Sequence, residues 1–178
     1  MIYILMFLTA ISFGAPVPRP VPRTVSQIYI DSGIFEGGSP LAAHIEGLRF
    51  SRNTQTGTER WVFDFSDART NSPQLLAPEF QLRLTPPDKV QLADGKEVQI
   101  SPQRLLISLS AIKNNELRSK TIQTHLSKSK LVKNVRIYPP IENGDRVIEF
   151  TFKHPILLEP HQPLQKEGRL VLDLKPRK

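Results

Sequence analysis

The chain reads as an all-β protein: a β-sandwich or small open barrel of about eight or more strands, internally duplicated, with at most one short helix. Three observations predict this. Short apolar or alternating runs recur along the chain at Ile45–Phe50, Trp61–Phe65, Phe80–Leu84, Val98–Ile100, Leu105–Leu109, Leu131–Tyr138, Val147–Phe152 and Leu170–Leu174, with Gly, Pro, Asn and Asp between them. Two turn dipeptides stand between such runs: Asp94-Gly95 after Val90–Leu92, and Asn143-Gly144 before Val147–Phe152. A pattern also repeats. Leu48–Ser51, a loop with Gly57, and Glu59–Phe65 are echoed by Val135–Tyr138, a loop with Gly144, and Asp145–Phe150. Each unit is followed by an Arg-led strand, Arg104–Leu109 in one and Arg169–Leu174 in the other.

Side chains alternate faces along a strand, so each run states what it buries. Trp61, Phe63 and Phe65 share one face, opposite Arg60, Val62 and Asp64. Leu170, Leu172 and Leu174 share a face, opposite Arg169, Val171 and Asp173. The apolar rows are the expected core. The Arg and Asp of the other faces are placed to pair with charges on neighbouring strands. Trp61 is of the size to stack on a sugar, but its parity with Phe63 and Phe65 assigns it to the core. In the second copy the apolar row is Ile148, Phe150 and Phe152 with Glu149 outward. Matching Arg146 to Arg60 makes that copy one residue shorter, which a bulge or register change would repair. The polar stretch Asn114–Ser129 has few breakers and is the place for the one short helix.

Three regions precede or make up the domain. Residues 1–14, MIYILMFLTAISFG, have the apolar length of a signal peptide and are too short to span a bilayer. The small-x-small site Ser12-Phe13-Gly14 predicts cleavage before Ala15, although the segment lacks the usual basic start. Residues 15–26 alternate proline with apolar or basic residues and form a semi-rigid polyproline spacer or a docking peptide. The β domain occupies 27–178. Cys is absent, which excludes a disulfide framework, a thiolate metal site and a thiol nucleophile. An exported, cysteine-free chain is expected in a bacterial periplasm or the medium.

The strands Arg60-Trp61-Val62-Phe63-Asp64-Phe65 and Arg169-Leu170-Val171-Leu172-Asp173-Leu174 resemble the paired signature strands of AMIN and AMIN-like domains. The resemblance covers Ile45–Pro176, about three quarters of the chain. It implies a non-catalytic β-sandwich of the bacterial cell envelope, of the kind that targets amidases and secretins to peptidoglycan. The chain is longer than a short AMIN module and carries the insert Asn114–Ser129, so it reads as a free-standing AMIN-like protein.

The search for chemistry is mostly negative. No Gly-x-Ser-x-Gly, nucleotide-phosphate loop or paired-histidine metal motif occurs, so no catalytic residue, cofactor or metal site is assigned. His154 and His161, flanking a proline-rich loop with Glu159, are the nearest approach to a metal set. The positive signal is charge. Lys and Arg number 24 against 17 Asp and Glu, a net charge of +7. No acid occurs between Leu117 and Ile141, where Arg118, Lys120, Lys128, Lys130, Lys133 and Arg136 cluster. Such a run is either a solvated face or an anion-binding surface. Export and the lack of interleaved exposed aromatics disfavour nucleic acid. The expected function is therefore binding to peptidoglycan or an associated anionic wall polymer through this run. The alternative is docking of an envelope or secretion-system protein through a sheet edge or the Pro-rich leader.

Overall fold

In the computed structural model, residues 28–113, 120, 124–125, 127–141, 144–163 and 168–177 are described. The signal segment 1–14, the spacer 15–26, Arg118 and most of Asn114–Ser129 lie outside them. Of the expected helix, Lys120, Thr124 and His125 are helical, with the Thr124 hydroxyl donating to the Lys120 carbonyl at 2.8 Å.

The described residues form eleven strands: β1 (Gly33–Gly37), β2 (Ala43–Arg52), β3 (Glu59–Asp67), β4 (Phe80–Thr85), β5 (Lys89–Gln91), β6 (Glu97–Gln99), β7 (Arg104–Leu109), β8 (Val132–Ile137), β9 (Arg146–Phe152), β10 (Ile156–His161) and β11 (Arg169–Pro176). All strand pairings are antiparallel. A four-stranded sheet has the order β10-β11-β3-β2 and a five-stranded sheet the order β1-β4-β7-β9-β8. The hairpin β5–β6 stands apart as a third sheet. The two large sheets pack face to face and do not close into a barrel. Trp61 of the four-stranded sheet meets Phe150 and Phe152 of the other at ring-centroid distances of 4.8 and 6.5 Å. Around them the alternating rows Trp61-Phe63-Phe65, Leu170-Leu172-Leu174, Leu105-Ile107-Leu109 and Ile148-Phe150-Phe152 are all buried. Trp61 is core, as its parity requires.

The sequence repeat is also a repeat of strand order. Replacing β2, β3, β4 and β7 by β8, β9, β10 and β11 turns β10-β11-β3-β2 into β4-β7-β9-β8, which is the other sheet without β1. Each half therefore contributes its hairpin to one sheet and its following strand pair to the other. The hairpins carry matching bulges. Pairing slips between Ile45 and Gly47 opposite Phe65 and Asp64, and between Val132 and Asn134 opposite Thr151 and Phe152. Both return loops place a glycine at positive φ, Gly57 at 73° and Gly144 at 84°. A Cβ on Gly144 would also lie 2.7 Å from the Ile112 carbonyl oxygen.

The bulges correct one expectation. They match Phe65 to Phe152 and so Arg60 to Val147, not to Arg146. Arg146 falls at the end of the inward row, half-buried, with its Nε lacking a hydrogen-bond partner. Both hairpins carry the bulge at the equivalent place and are equal in length, so β9 needs no repair. Two strands lie outside the runs read from sequence. β1 is short and bounded by Gly33 and Gly37. β10 holds Pro160 and was expected as part of a proline-rich loop. It is an edge strand, where proline's missing N–H costs no ladder bond.

All four outer edges are blunted, which limits pairing with another chain. β1 is five residues long, β2 and β8 are bulged, and β8 carries Lys133 at its bulge. β10 is capped by Ile30, which exchanges two backbone hydrogen bonds of 2.8 Å with Leu158. No helix among the described residues is long and apolar enough to cross a membrane.

The aromatic contact between the sheets yields a direct test. Phe150→Ala removes the ring against Trp61 and should destabilise the domain by about 3–5 kcal/mol. Urea unfolding followed by Trp61 fluorescence measures it.

Candidate functional site

The two sheets share a plan but differ on their outer faces. In the four-stranded sheet, Arg60 binds Asp173 through Nε and a terminal nitrogen at 2.7 and 2.6 Å. Reciprocally, Arg169 and Arg49 bind Asp64, with Nε–oxygen distances of 2.8 and 2.6 Å. The strand register explains this: Arg60 faces Asp173, and Arg169 faces Asp64. The face is thus closed by its own ion pairs. Asp173 holds the Arg60 guanidinium above its usual range through these hydrogen bonds.

In the five-stranded sheet the equivalent pairs are Val147 with Ser108 and Thr151 with Arg104. Three of the four charged groups are gone. What remains is a shallow apolar dish lined by Leu106, Tyr138, Pro139, Pro140, Ile141 and Val147. Its polar rim is built from three strands. The Tyr138 hydroxyl donates to Glu149 at 2.5 Å, Arg104 lies 3.7 Å from the same carboxylate, and the Arg136 guanidinium sits 5.9 Å from the centre of the Tyr138 ring. A ring edge, aliphatic floor and convergent cations suit a ligand with both apolar and anionic parts. A second cleft, beside β1 and β4, is lined by Glu36 and Glu79, the wrong sign for an anion.

Of the basic run, Arg136 stands beside the dish, whereas Lys128, Lys130 and Lys133 lie at the other end of β8. Lys120, Lys128, Lys130, Lys133 and Arg136 are exposed. Among the described residues none of the five makes an ion pair. Arg49, Arg60, Arg104 and Arg169 all do. The part around Lys128 and Lys130 is held from beneath. Glu59, at 0% exposure, accepts from the Ser129 hydroxyl and the Lys130 amide, both at 2.7 Å. The Ser129 oxygen in turn accepts from the amides of Leu131 and Val132 at 3.1 and 3.0 Å. One buried carboxylate therefore fixes the backbone between two free lysines at the start of β8. Arg118 lies outside the described residues and has no assigned place.

A third cluster joins residues the sequence only half connected. Glu159 and Asp173 face each other across β10 and β11. With His161 they bring one ligand atom each within 4.8 Å of one another. His154 is not part of the group. Arg60 already engages both oxygens of Asp173, His161 lies 3.4 Å from the same carboxylate, and the Tyr29 phenol is near enough to Glu159 to be shifted by its charge. Asp173 is thus matched by a guanidinium, and Glu159 has a phenol beside it, as parts of one network. Burial, then the charges of Glu159 and Asp173, hold the Tyr29 phenol above its ordinary 10.0. Lys175 stands 3.7 Å over the same ring.

Sequence reading singled out the cations but missed the dish and the Glu59 anchor of the lysine loop. Tyr138-Pro139-Pro140-Ile141 carried a signal, an aromatic and two prolines directly after a strand. Glu59 carried none, since its role depends on Ser129, seventy residues away. No protein-family model matches the chain, and no curated protein matches it.

Two outcomes follow. Glu59→Ala leaves the Ser129 hydroxyl and Lys130 amide without their acceptor and should cost about 1–3 kcal/mol. Hydrogen exchange at the Lys130 amide should speed up. Tyr29 should ionise above the usual phenol range in an alkaline absorbance titration, and Tyr29→Phe should delete that late component. Because the folded phenol is raised, its contribution to stability is complete below pH 10.0 and is lost as pH climbs through the folded value.

Proposed function

We propose that this chain is an exported, non-enzymatic AMIN-like module of a bacterial envelope, periplasmic or secreted, that binds peptidoglycan or an associated anionic wall polymer. The observation that carries the reading is the contrast between the two outer faces. Where one sheet neutralises itself with reciprocal Arg–Asp pairs, the other exposes an apolar dish beside Arg136 and carries Lys133 at the far end of β8, neither with an acidic partner among the described residues. Wall glycans present acetyl and methyl groups for such a dish and carboxylates or phosphates for Arg136, Lys133, Lys130 and Lys128. Tyr138 offers a ring to a sugar, and the Glu59 anchor pre-orders the lysine loop, which lowers the entropy cost of binding. The signal segment and the resemblance of the Arg-led strands support the compartment and the class. Docking of an envelope protein at a sheet edge is the weaker reading, because each outer edge is bulged, short or capped.

Co-sedimentation with purified peptidoglycan sacculi tests this. Residues 15–178 should pellet at low salt and be released as salt rises to physiological strength. Replacing Lys128, Lys130 and Lys133 by Gln should abolish pelleting. Tyr138→Ala should weaken it while leaving the salt dependence intact, because it removes contact area and no charge. Absence of pelleting at low salt would sink the proposal and turn the search to envelope proteins.

A further inference from the structure

The ion pairs on the outer face of the four-stranded sheet leave one buried charge over. Glu159 and His161 are two residues apart on β10 and so share that face, and Asp173 stands opposite Glu159 on β11. Arg60 follows Asp173 in the same row, on β3. On the other side, the antiparallel register of Ile30 with Leu158 sets Tyr29 beside Glu159. The row is therefore a phenol, two carboxylates and a guanidinium. Both carboxylates are more than nine-tenths buried, Glu159 at 7% and Asp173 at 5% exposure. Arg60 directs its Nε and a terminal nitrogen at Asp173. Among the described residues no cation forms an ion pair with Glu159. The phenol beside it is neutral. A buried carboxylate without a counter-charge is costly, and buried charges in proteins are paired or hold metal ions.

We propose that Glu159, His161 and Asp173 form a binding site for a divalent transition-metal cation, zinc being the ion they suit. One ligand atom from each lies within 4.8 Å of the others. Zinc bonds to imidazole nitrogen and carboxylate oxygen are about 2.0–2.2 Å long, so tetrahedral ligands stand about 3.4 Å apart. His161 Nε2 and Asp173 Oδ2 are already 3.4 Å apart, long for a hydrogen bond and right for two ligands of one ion. Glu159 can close the remaining gap by rotation of its side chain. The imidazole favours zinc over calcium or magnesium, which take oxygen ligands. Arg60 keeps its hydrogen bonds and holds Asp173 in place, as outer partners of ligating carboxylates do. The ion supplies the counter-charge that Glu159 lacks. With Arg60 counted, the loaded cluster is net positive, so its fourth position favours an anion such as hydroxide or a carboxylate. That position opens past His161, which is half-buried. His154, the other imidazole of this stretch, precedes β10 and takes no part. The proposal is independent of the wall-binding reading, since these residues belong to the four-stranded sheet and the dish to the other.

Isothermal titration of the untagged, metal-free full chain with zinc chloride tests it, together with thermal unfolding with and without the ion and circular dichroism to confirm that each variant is folded. The wild type should bind one zinc per chain and unfold at a higher temperature when loaded. His161→Ala should weaken binding at least about tenfold, and so should Glu159→Gln. His154→Ala should change nothing. Cobalt(II) in place of zinc should give the strong visible absorption of a four-coordinate site, lost in His161→Ala. Glu159→Gln carries a second readout, because it removes the unpaired charge and keeps the shape of the side chain. Without metal it should unfold at a higher temperature than the metal-free wild type, yet gain nothing from zinc. A wild type that binds no zinc overturns the proposal, as does binding that His161→Ala and Glu159→Gln leave intact. Calcium bound as tightly as zinc and indifferent to His161→Ala would overturn it by reducing the site to its two carboxylates. A metal-free Glu159→Gln chain that unfolds earlier, with a wild type indifferent to zinc, would overturn it by showing Glu159 already satisfied by Arg60 and Tyr29.

Discussion

The inward rows of the two sheets depend on one another, and that mutual burial governs the architecture. Trp61, Phe63 and Phe65 face the opposite sheet, to which both halves contribute strands: β4 and β7 from their own half, β8 and β9 from the other. The cover for Trp61 comes from Phe150 and Phe152, and its neighbour in the sheet is Leu172, both from the other half. Neither half can bury its apolar faces alone, since each contributes two strands to each layer. A duplicated sequence thus yields one cooperative domain rather than two small ones. The price is long-range pairing: β3 must find β11 across more than a hundred residues, which favours slow, all-or-none folding.

Once the inward rows are committed to the core, the outward positions are free to diverge. The repeat makes that divergence readable. Arg169 and Arg104 occupy equivalent positions, but the partner of the first is Asp64 and of the second Thr151. Asp173 has become Ser108 and Arg60 has become Val147. The same backbone plan therefore carries a self-neutralised charged ladder on one side and an open apolar dish on the other. Exposed ion pairs contribute little to stability, so their loss from one copy is a minor change for the fold and a large one for the surface.

The matched bulges serve the same division. Each lets the first strand of a hairpin stay in register with an inward row while admitting one extra residue, Glu46 in β2 and Lys133 in β8. In β8 the extra residue is a lysine at a sheet edge, where it both discourages edge pairing and adds to the basic run. Glu59 then ties the start of β8 back to β3, so the lysines sit on backbone fixed by the core rather than on a loose loop.

Alternation and turn residues by themselves determined the fold class, the duplication, nine of the strands and the inward rows, because burial on one face of a strand imposes period two on the sequence. They also marked the Asp94-Gly95 hairpin and the basic run, since glycine turns and net charge are local properties. Strand β10 escaped notice because proline argues against a strand until the strand is known to lie at an edge, and edge position is a property of the whole sheet. Arg146 was matched to Arg60 because both are arginines; the register, which sets Phe152 in the place of Phe65, matches Arg60 to Val147 instead. The dish escaped for the same reason. Leu106 and Val147 come from β7 and β9 and Tyr138 directly follows β8, and only the register of those strands brings them side by side. Glu59 is one more acid in the sequence and becomes an anchor only when folding buries it beneath Ser129. The sequence determined what each strand must hide. The tertiary structure decided what the remaining side chains meet, because those neighbours are far apart in the chain and are chosen by sheet order.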